Sequence, residues 1–282
     1  MKILDGKQTG LKISEQIRNE IEGYLESGKR APRLDILLVG DDFGSQKYVE
    51  MKSKKAKELG IQCEVHSFKE DIQEEELVRL IEEVNGNDEI DGVMVQLPLP
   101  QHLNEKNILE TILPTKDVDG LTSVNLGKLF KNDPSAIAPA TAKGILELLK
   151  EYEIDIDGKS AVVIGRSDIV GLPTAAILQN ENATVTVCHS HTKDLKEVCK
   201  RADILVVGIG KAEYIDMEYV KEGCVVIDVG TNKNEEGKLI GDVDFENVKD
   251  IVEYITPVPG GVGPMTISCL LSNLLDAYKK NV

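Results

Sequence analysis

The sequence predicts an α/β protein with two domains, and three observations support that prediction. Short apolar runs alternate with amphipathic helical patterns, which is typical of parallel sheets covered by helices. The alternation occurs twice, on either side of a stretch rich in Pro and Gly at residues 114–140. The chain has 282 residues, of which 41% are hydrophobic, and this is enough for two ordinary domains with packed cores.

The first series begins with a helical stripe formed by Leu11, Ile17, Ile21 and Leu25, which Gly28 would end. After it, apolar runs bounded by turn residues predict strands, and apolar residues spaced three and four apart predict helices. The strands are predicted at residues 34–39, 61–66 and 91–97, and the helices at residues 45–59 and 74–85.

The second series follows the same logic after a helix predicted at residues 141–152. Pro264 suits the first turn of the last helix, which we expect to return to the first domain and to place a cleft under the loop before it. The strands are predicted at residues 161–164, 183–187, 204–207, 224–229 and 251–255, and the helices at residues 169–180 and 265–279. We therefore expect one domain of residues 1–138 plus 264–282 and a second of residues 139–263.

Charge and cysteine usage narrow the class of protein. The net charge of −16 argues against a nucleic-acid partner and against an anionic membrane surface, because both are bound by clustered Lys and Arg. The five cysteines include no CxxC pair, which favours reduced thiols in the cytoplasm over disulfides or a zinc site. Residues 255–275 carry no formal charge, but three Pro and three Gly indicate a loop entering a helix instead of a membrane span.

Residues 162–173 read as a strand, a tight turn and the start of a helix, the geometry that holds phosphate on backbone N–H groups. An ordinary turn between a strand and a helix is the alternative. Arg166 in the turn suits a second anionic group, and Ser190 stands where an NAD-binding fold places an acid. Together these two residues favour NADP over NAD. His189 and His191 are interpreted as polar residues at the rim of the cofactor site, because no third metal ligand lies at a suitable spacing.

Lys52 is the strongest candidate for proton transfer. Tyr48 and Lys52 are four residues apart and project from one face of a helix. Most helical lysines are solvated, but other lysines of this helix already supply a solvated face. A lysine that is withdrawn from water has a lowered pKa and exchanges protons near neutrality.

Gln96 and Asp119 are the candidates that would accompany it. Gln96 ends a predicted parallel strand, where α/β sheets place ligands, although an amide that caps the loop backbone is the alternative. Asp119 lies in a turn next to Gly120, where its carboxylate would accept paired N–H donors from a heterocycle or simply stabilise the turn. Residues 257–264 place three glycines between prolines, which indicates a stiff loop whose backbone approaches a ligand closely.

Five strings in the sequence resemble one family, the bifunctional methylenetetrahydrofolate dehydrogenase/methenyltetrahydrofolate cyclohydrolases of the FolD type. The strings occur in the order found in that family and span most of the chain. They are YVxxK at residues 48–52, VQLPLP at 95–100, KDVDG at 116–120, GRSxIVGxP at 165–173 and TPVPGGVGPMT at 256–266.

This resemblance implies a fold and a reaction. The fold would combine a folate-binding domain with an NADP-binding Rossmann domain, usually in a homodimer. The enzyme would oxidise 5,10-methylenetetrahydrofolate with NADP+ and hydrolyse the resulting 5,10-methenyltetrahydrofolate to 10-formyltetrahydrofolate, in one-carbon metabolism that serves purine biosynthesis.

The resemblance also assigns roles to particular residues. Lys52 would transfer protons with Gln96 as its partner, Tyr48 would form a wall that positions the folate, and Asp119 would hold the pterin. Arg166 and Ser190 would hold the 2′-phosphate of NADP. The full set of predicted binding residues is Gly165, Arg166, Ser167, Ile169, Gly171, Ser190 and Thr231 for the cofactor, and Tyr48, Gln96, Leu97, Pro98, Asp119, Pro259, Gly260 and Gly261 for the substrate, with no metal site.

One segment departs from the family pattern, which usually reads PCTPxG before the first helix of the cofactor domain. Here residues 139–144 read PATAKG, so we expect a change in local shape and substrate affinity more than in reaction type. A monofunctional dehydrogenase, a folate- or nucleotide-binding protein without catalysis, and a Rossmann dehydrogenase for another substrate are the alternatives. The first is disfavoured by the presence of Lys52 and Gln96, the second by the combined presence of Lys52, Gln96 and Asp119, and the third by the Asp119 turn and the loop at residues 257–264.

Overall fold

A computed structural model describes all residues from 1 to 282 and divides into two compact units. The three-stranded unit comprises Lys12–Lys128, Asp133–Ala140 and Ile267–Val282. The six-stranded unit comprises Met1–Leu11, Leu129–Asn132 and Thr141–Thr266. Both sheets that name these units are entirely parallel, which confirms the predicted α/β class.

The three-stranded unit is built around its central strand, because β2 pairs with a neighbour on each side. The strand order is β3-β2-β4, and β2 is buried along almost its whole length. Its elements are strands β2 (Arg33–Val39), β3 (Gln62–Phe68) and β4 (Gly92–Val95), and helices α2 (Phe43–Glu58), α3 (Glu74–Asn85) and α4 (Glu105–Glu110).

One hydrophobic core in this unit lies between α3 and the sheet. Leu77, Ile81 and Val84 recur on one face of α3, as the 3.6-residue period of a helix requires, and pack against Leu37 and Val93 of the strands. Acidic residues occupy the first turn of α3, where they interact favourably with the positive end of the helix dipole. This packing fixes the carboxyl end of β4.

The six-stranded unit has the strand order β1-β11-β8-β7-β5-β6. Its central strands read as continuous apolar runs because helices or loops cover both faces. The strands of this sheet are β1 (Lys2–Ile3), β5 (Ser160–Ile164), β6 (Thr184–Cys188), β7 (Ile204–Val207), β8 (Val225–Asp228) and β11 (Tyr254–Ile255), and the helices of the unit are α7 (Gly171–Asn180), α8 (Leu195–Cys199) and α9 (Phe245–Val248). A separate antiparallel pair, β9 (Asn232–Lys233) and β10 (Leu239–Ile240), lies in the same unit.

Four helices contain the boundaries between the two units, since each includes residues of both. They are α1 (Gly6–Glu26), α5 (Ser123–Phe130), α6 (Ala140–Glu151) and α10 (Val262–Lys279). The expected connector at residues 114–140 therefore holds α5, which the sequence analysis did not predict. The last helix begins at Val262 instead of residue 265, so Pro264 lies inside its first turn.

The division also differs from the expected domain boundaries at the N-terminus. Residues Met1–Leu11 group with the six-stranded unit because β1 pairs with β11, with Ile3 opposite Ile255. The expected strand at residues 251–255 is shorter, and the expected helix at residues 169–180 begins two residues later. No helix combines the length and apolar character needed to cross a membrane. The structure contains no disulfide bond.

Candidate active site

Helix α2 places Lys52 in the interior of the three-stranded unit. The helix begins after Asp42, whose carboxylate accepts a hydrogen bond from the Ser45 N–H at 2.7 Å. Val49, Lys52, Ser53 and Ala56 form its buried face. Lys52 therefore occupies a position that helical periodicity would normally give to an apolar residue.

The Lys52 ammonium is withdrawn from solvent but keeps a polar partner. Only 7% of the residue is exposed, and its Nζ donates a hydrogen bond to Gln96 Oε1 at 3.0 Å. The Met94 Sδ lies 3.6 Å from the same nitrogen. Burial lowers the pKa of Lys52, while the negative charge of Asp119 opposes that shift. The amine is thereby brought closer to the range in which it can give and take a proton.

Gln96 is held in place by main-chain contacts just beyond β4. Its N–H donates to the Leu37 carbonyl at 2.9 Å, which continues the pairing of β4 with β2. Its side-chain Nε2 donates to the Leu97 carbonyl at 2.7 Å. Because a lysine ammonium can only donate, the amide oxygen must face Lys52. Both ends of the amide are therefore fixed.

Asp119 lies in a turn that a neighbouring carboxylate organises. The buried Asp117 accepts hydrogen bonds from the N–H groups of Gly120, Leu121 and Thr122, at 2.9, 3.1 and 2.8 Å, and from Asn125 Nδ2 at 2.9 Å. Burial raises the pKa of Asp119, the Lys52 charge lowers it, and the Asp117 charge raises it. Lys52 and Asp119 are thus both shifted toward their neutral forms, because desolvation outweighs the attraction between their opposite charges.

The six-stranded unit carries the predicted nucleotide turn at the carboxyl ends of β5 and β6. Ile164 pairs with Cys188, so Arg166 and Ser190 both follow strand ends at the same edge of the sheet. Both residues are exposed, as a ligand contact requires. Gly165 has φ +126°, and a Cβ at this position would lie 2.4 Å from the Gly208 carbonyl oxygen. Only glycine allows the backbone to turn this closely.

Ser167 stabilises the start of α7 through hydrogen bonds to the main chain. Its Oγ accepts hydrogen bonds from the N–H groups of Val170 and Gly171 at 3.2 and 3.4 Å. Ile169 consequently lies in the turn before the helix, where it is 40% exposed. The glycine turn, the exposed Arg166 and Ser190, and the adjacent helix start together fit a dinucleotide with an additional phosphate.

The loop at residues 257–264 is stiff and tightly packed within the same unit. The Gly261 N–H donates to the Pro257 carbonyl at 2.8 Å, and the Lys7 N–H donates to the Gly260 carbonyl at 3.1 Å. A Cβ on Gly6 would lie 1.8 Å from the Gly261 carbonyl oxygen, so two backbones meet there without side chains. Pro259 is exposed beside them.

Comparison with known proteins identifies the family. The model of the tetrahydrofolate dehydrogenase/cyclohydrolase catalytic domain matches residues 4–119, and that of the NAD(P)-binding domain matches residues 139–282. The chain belongs to the tetrahydrofolate dehydrogenase/cyclohydrolase family. The predicted resemblance is therefore confirmed.

Individual members of this family match the chain from end to end. The bifunctional protein FolD of Ligilactobacillus salivarius is 49% identical over 280 residues, which cover 99% of this chain and 98% of that protein. The crystal structure of bifunctional FolD from Campylobacter jejuni has a TM-score of 0.98 at 45% identity and full coverage of both chains. The Trypanosoma brucei FolD structure, complexed with NADP cofactor and inhibitor, has a TM-score of 0.93 at 37% identity and covers 99% of this chain and 97% of that one.

The segment that departs from the family pattern spans a boundary between the units, with residues 139–140 in the three-stranded unit and residues 141–144 in the six-stranded unit. The Thr141 and Thr266 hydroxyls lie 3.2 Å apart, and a Cβ on Gly144 would lie 2.9 Å from the Met265 side chain. These two retained positions of the family pattern thus tie α6 to α10. Ala140 and Ala142 are buried, so the replacements place small apolar side chains in the core.

Among the predicted residues of this family member, Lys52 and Gln96 are in direct contact, and Asp119 acts on Lys52 through its charge. Tyr48 lies on α2 and is 42% exposed. Leu97 and Pro98 follow Gln96 directly, and Thr231 is exposed after β8. His189 and His191 are neighbours whose ring centroids lie 6.0 Å apart.

Two polar residues near the site have structural roles that were not predicted from the sequence. Asp117 holds the turn that carries Asp119, and an Asp followed by Gly three residues later is the signal that could have indicated it. Lys116 is buried, and its Nζ donates to the Val84 and Asn87 carbonyls at 2.9 and 2.6 Å, near the end of α3. Lys116 therefore connects the segment before the turn to the C-terminal end of α3.

Another titratable cluster lies on β2 and β3. Asp35, Glu64 and His66 place ligand atoms within 4.8 Å of one another. Arg33 already contacts both carboxylates, with its Nε 2.9 Å from Asp35 and its NH2 group 2.7 Å from Glu64. The cluster is therefore an ion-pair network that neutralises a buried aspartate.

Proposed function

We propose that Lys52, Gln96 and Asp119 form the reacting centre of a bifunctional folate enzyme. The enzyme oxidises 5,10-methylenetetrahydrofolate to 5,10-methenyltetrahydrofolate with NADP+ and hydrolyses the methenyl cation to 10-formyltetrahydrofolate. The observation that supports this proposal most strongly is the buried Lys52 ammonium at 3.0 Å from a fixed amide oxygen. A lysine that served only solubility would not be buried on the inner face of its helix.

In the dehydrogenase step the protein mainly orients the reactants. NADP+ accepts the hydride from the one-carbon bridge, and the chemistry lies in the nicotinamide. The exposed Arg166 and Ser190 hold the 2′-phosphate, while Gly165, Ser167, Ile169, Gly171 and Thr231 shape the nucleotide edge. Asp119 holds the pterin ring by accepting its N–H groups, which fixes the bridge for transfer.

The cyclohydrolase step needs proton transfer while water attacks the methenyl carbon. Neutral Lys52 accepts a proton from the attacking water, and its ammonium form returns a proton to the ring nitrogen as the carbon–nitrogen bond breaks. Gln96 keeps the amine aimed during both transfers. Leu97 and Pro98 shape the adjacent wall with Tyr48, and Pro259, Gly260 and Gly261 are the substrate-binding candidates of the six-stranded unit.

Substitution of Lys52 by Met tests the assignment. We expect the cyclohydrolase rate to fall by about 10²- to 10⁴-fold, the usual value of a positioned proton-transfer group. The loss of methenyl absorbance measures this rate. Lys54→Met is the matched control, since Lys54 lies on the exposed face of the same helix. Normal methenyl hydrolysis by Lys52→Met would refute the role, and hydride transfer without hydrolysis in the wild type would favour the monofunctional dehydrogenase.

Substitution of Arg166 by Ala tests the cofactor assignment. Because the guanidinium would contact only the 2′-phosphate, we expect the KM for NADP+ to rise far more than the KM for NAD+. Formation of reduced nicotinamide, followed by absorbance, gives both constants. Equal changes would show that Arg166 does not contact that phosphate. Lys193→Ala is a suitable control because it removes one exposed positive charge near the same edge.

We further propose that the enzyme is a cytoplasmic homodimer that supplies formyl groups for purine biosynthesis. Five cysteines without a disulfide support a reducing compartment, and the net charge of −16 disfavours nucleic-acid and membrane partners. Light scattering is expected to give twice the chain mass of 30.9 kDa, and a monomer at micromolar concentration would contradict the dimer.

A further inference from the structure

Two acidic residues of the six-stranded unit are buried and take no part in the mechanism above. Asp228 ends β8 and is 3% exposed, and Asp242 follows β10 and is 0% exposed. Neither is neutralised by a lysine or arginine ion pair. Burial raises the pKa of Asp228 to about 6, and the charge of Asp242 adds to that shift. Burying two carboxylates without a positively charged partner is energetically unfavourable.

The carboxylate of Asp242 binds the loop that follows β7. Its Oδ2 accepts hydrogen bonds from the N–H groups of Ile209 and Gly210 at 2.6 and 3.0 Å. Its Oδ1 accepts hydrogen bonds from the Lys211 N–H and from Asn232 Nδ2, both at 2.8 Å. Three consecutive amides are thus turned toward one side chain, so the path of the loop depends on it.

Asp228 in turn holds Asp242. Its Oδ1 accepts the N–H groups of Gly230 and Asp242 at 2.9 and 3.0 Å, and its Oδ2 accepts that of Val243 at 2.9 Å. Its own N–H donates to Thr256 Oγ1 at 2.7 Å, just before the loop at residues 257–264. The two carboxylates therefore connect the loops that follow β7 and β8, and the main chain of Asp228 adds a link to the segment after β11.

These loops lie at the edge of the sheet that carries the nucleotide turn. The Gly208 N–H donates to the Ile164 carbonyl at 2.9 Å, and the Gly208 carbonyl oxygen closely approaches Gly165. Thr231, a candidate cofactor residue, directly follows Gly230 and precedes Asn232. A displacement of either loop would therefore change the surface on which the cofactor rests.

We propose that Asp228 and Asp242 are positioning residues for the nicotinamide nucleotide, which set the loops after β7 and β8 in the binding conformation. This inference rests on the proposed NADP site at the same edge. A carboxylate suits the task because its two oxygens can accept four hydrogen bonds, as Asp242 does here. An amide of the same shape has only one acceptor oxygen and could not hold all four donors.

The test compares Asp242→Asn with Asp244→Asn, a control that removes the same charge two residues away at the start of α9. For each protein we would measure the KM for NADP+, the cyclohydrolase rate without nucleotide, and the Tm. We expect the KM for NADP+ of Asp242→Asn to rise about tenfold or more, as loss of charge-assisted hydrogen bonds implies, with the cyclohydrolase rate within about twofold of the wild type. The control should match the wild type in all three.

An unchanged KM for NADP+ in folded Asp242→Asn would overturn the proposal, as would parallel losses of both activities with a lowered Tm. If Asp242→Asn does not fold, Asn232→Ala decides the question, because it removes a single donor to Asp242. A rise in its KM for NADP+ without loss of cyclohydrolase activity supports the positioning role, and no rise overturns it. A wild-type enzyme that lacks both activities would instead refute the proposed function.

Discussion

Lys52 is an ionisable side chain that the surrounding residues stabilise in a buried position. Burying an isolated ammonium is unfavourable, and the protein offsets that cost with hydrogen bonds to Gln96 and Met94 and with one nearby negative charge. The hydrogen bond to Gln96 favours the charged form, while burial favours the neutral form. Burial thus lowers the pKa of Lys52 toward the range in which an amine can exchange a proton.

The charge of Asp119 should have a measurable effect on the pKa of Lys52. Its negative charge raises the pKa of Lys52, so Asp119→Asn should lower that pKa further. If neutral Lys52 accepts the proton from water, the cyclohydrolase kcat rises with pH with a midpoint below 10.5, the ordinary lysine value. We expect this midpoint to move to lower pH in Asp119→Asn, measured at saturating substrate and corrected for uncatalysed hydrolysis.

The control for this shift is Asp71→Asn, which removes one charge from an exposed position of the same unit. It should leave the pH profile in place. A midpoint that moves upward in Asp119→Asn, or not at all, would mean that the profile reports a group other than Lys52.

The sequence could predict the candidate residues of the site but not all of the residues that hold them in place. Tyr48 and Lys52 were recognisable from helical spacing, and Gln96 from its position at a strand end. Asp117 lies within the KDVDG string, but its role could not be predicted, because its partners are mainly backbone N–H groups whose directions depend on the folded turn. The roles of Asp228 and Asp242 could not be predicted for the same reason, because residues 14 positions apart meet only after the sheet has formed.

At the level of elements, long periodic segments were predictable and short ones were not. Helices α2 and α3 and the central strands were located within about two residues, because burial of one face imposes a period on the sequence. Helix α4 has six residues and α5 has eight, too few turns for a stripe to stand out from loop residues. Strands β1 and β11 have two residues each and exist only through pairing with each other and with β8.

The turn after β5 offers a test at this scale. Gly165→Ala places a Cβ against the Gly208 carbonyl oxygen on a backbone with φ +126°, so we expect a loss of about 1–3 kcal/mol in the free energy of unfolding. The KM for NADP+ should rise as well, because the turn must shift. Denaturant unfolding and steady-state kinetics measure the two effects.

A Gly-to-Ala substitution at a suitable position elsewhere should instead increase the free energy of unfolding. Gly127 lies inside α5, and a Cβ there would meet no atom within 4 Å. Gly127→Ala is therefore expected to stabilise the protein by about 0.5–1 kcal/mol through its higher helix propensity. Wild-type stability in Gly165→Ala would show that the turn relaxes without cost, and would remove the argument that its geometry is fixed.

At the scale of the whole molecule, the compact units of the structure have limits that differ from those of the domains expected from the sequence. The sequence suggests a boundary at a Pro- and Gly-rich connector, whereas the compact units are interleaved along the chain. Residues 1–11 belong to the six-stranded unit because the two-residue strand β1 pairs with its sheet. No local sequence pattern predicts that strand. Helices α1 and α10 each contain residues of both units, so the chain cannot be cut into two independent pieces at one point.

This continuity predicts that the molecule unfolds as one cooperative system. Cys199 belongs to the six-stranded unit and Cys269 to the three-stranded unit, and both are fully buried. Burial raises the pKa of Cys199 to about 12, so its thiol reacts only when the structure opens. If melting one unit breaks α1 and α10, a ligand that binds either unit protects both thiols equally.

NADP+ at about a hundred times its Kd should stabilise the folded state by about 2.7 kcal/mol and slow thiol labelling about a hundredfold. Mass spectrometry of labelled peptides resolves the two cysteines, and we expect the same factor for Cys199 and Cys269. In Arg166→Ala the same concentration of NADP+ should protect both less, and again equally. Protection of Cys199 alone would mean that the units open separately, because stabilisation conferred in one would then not be transmitted through the shared helices to the other.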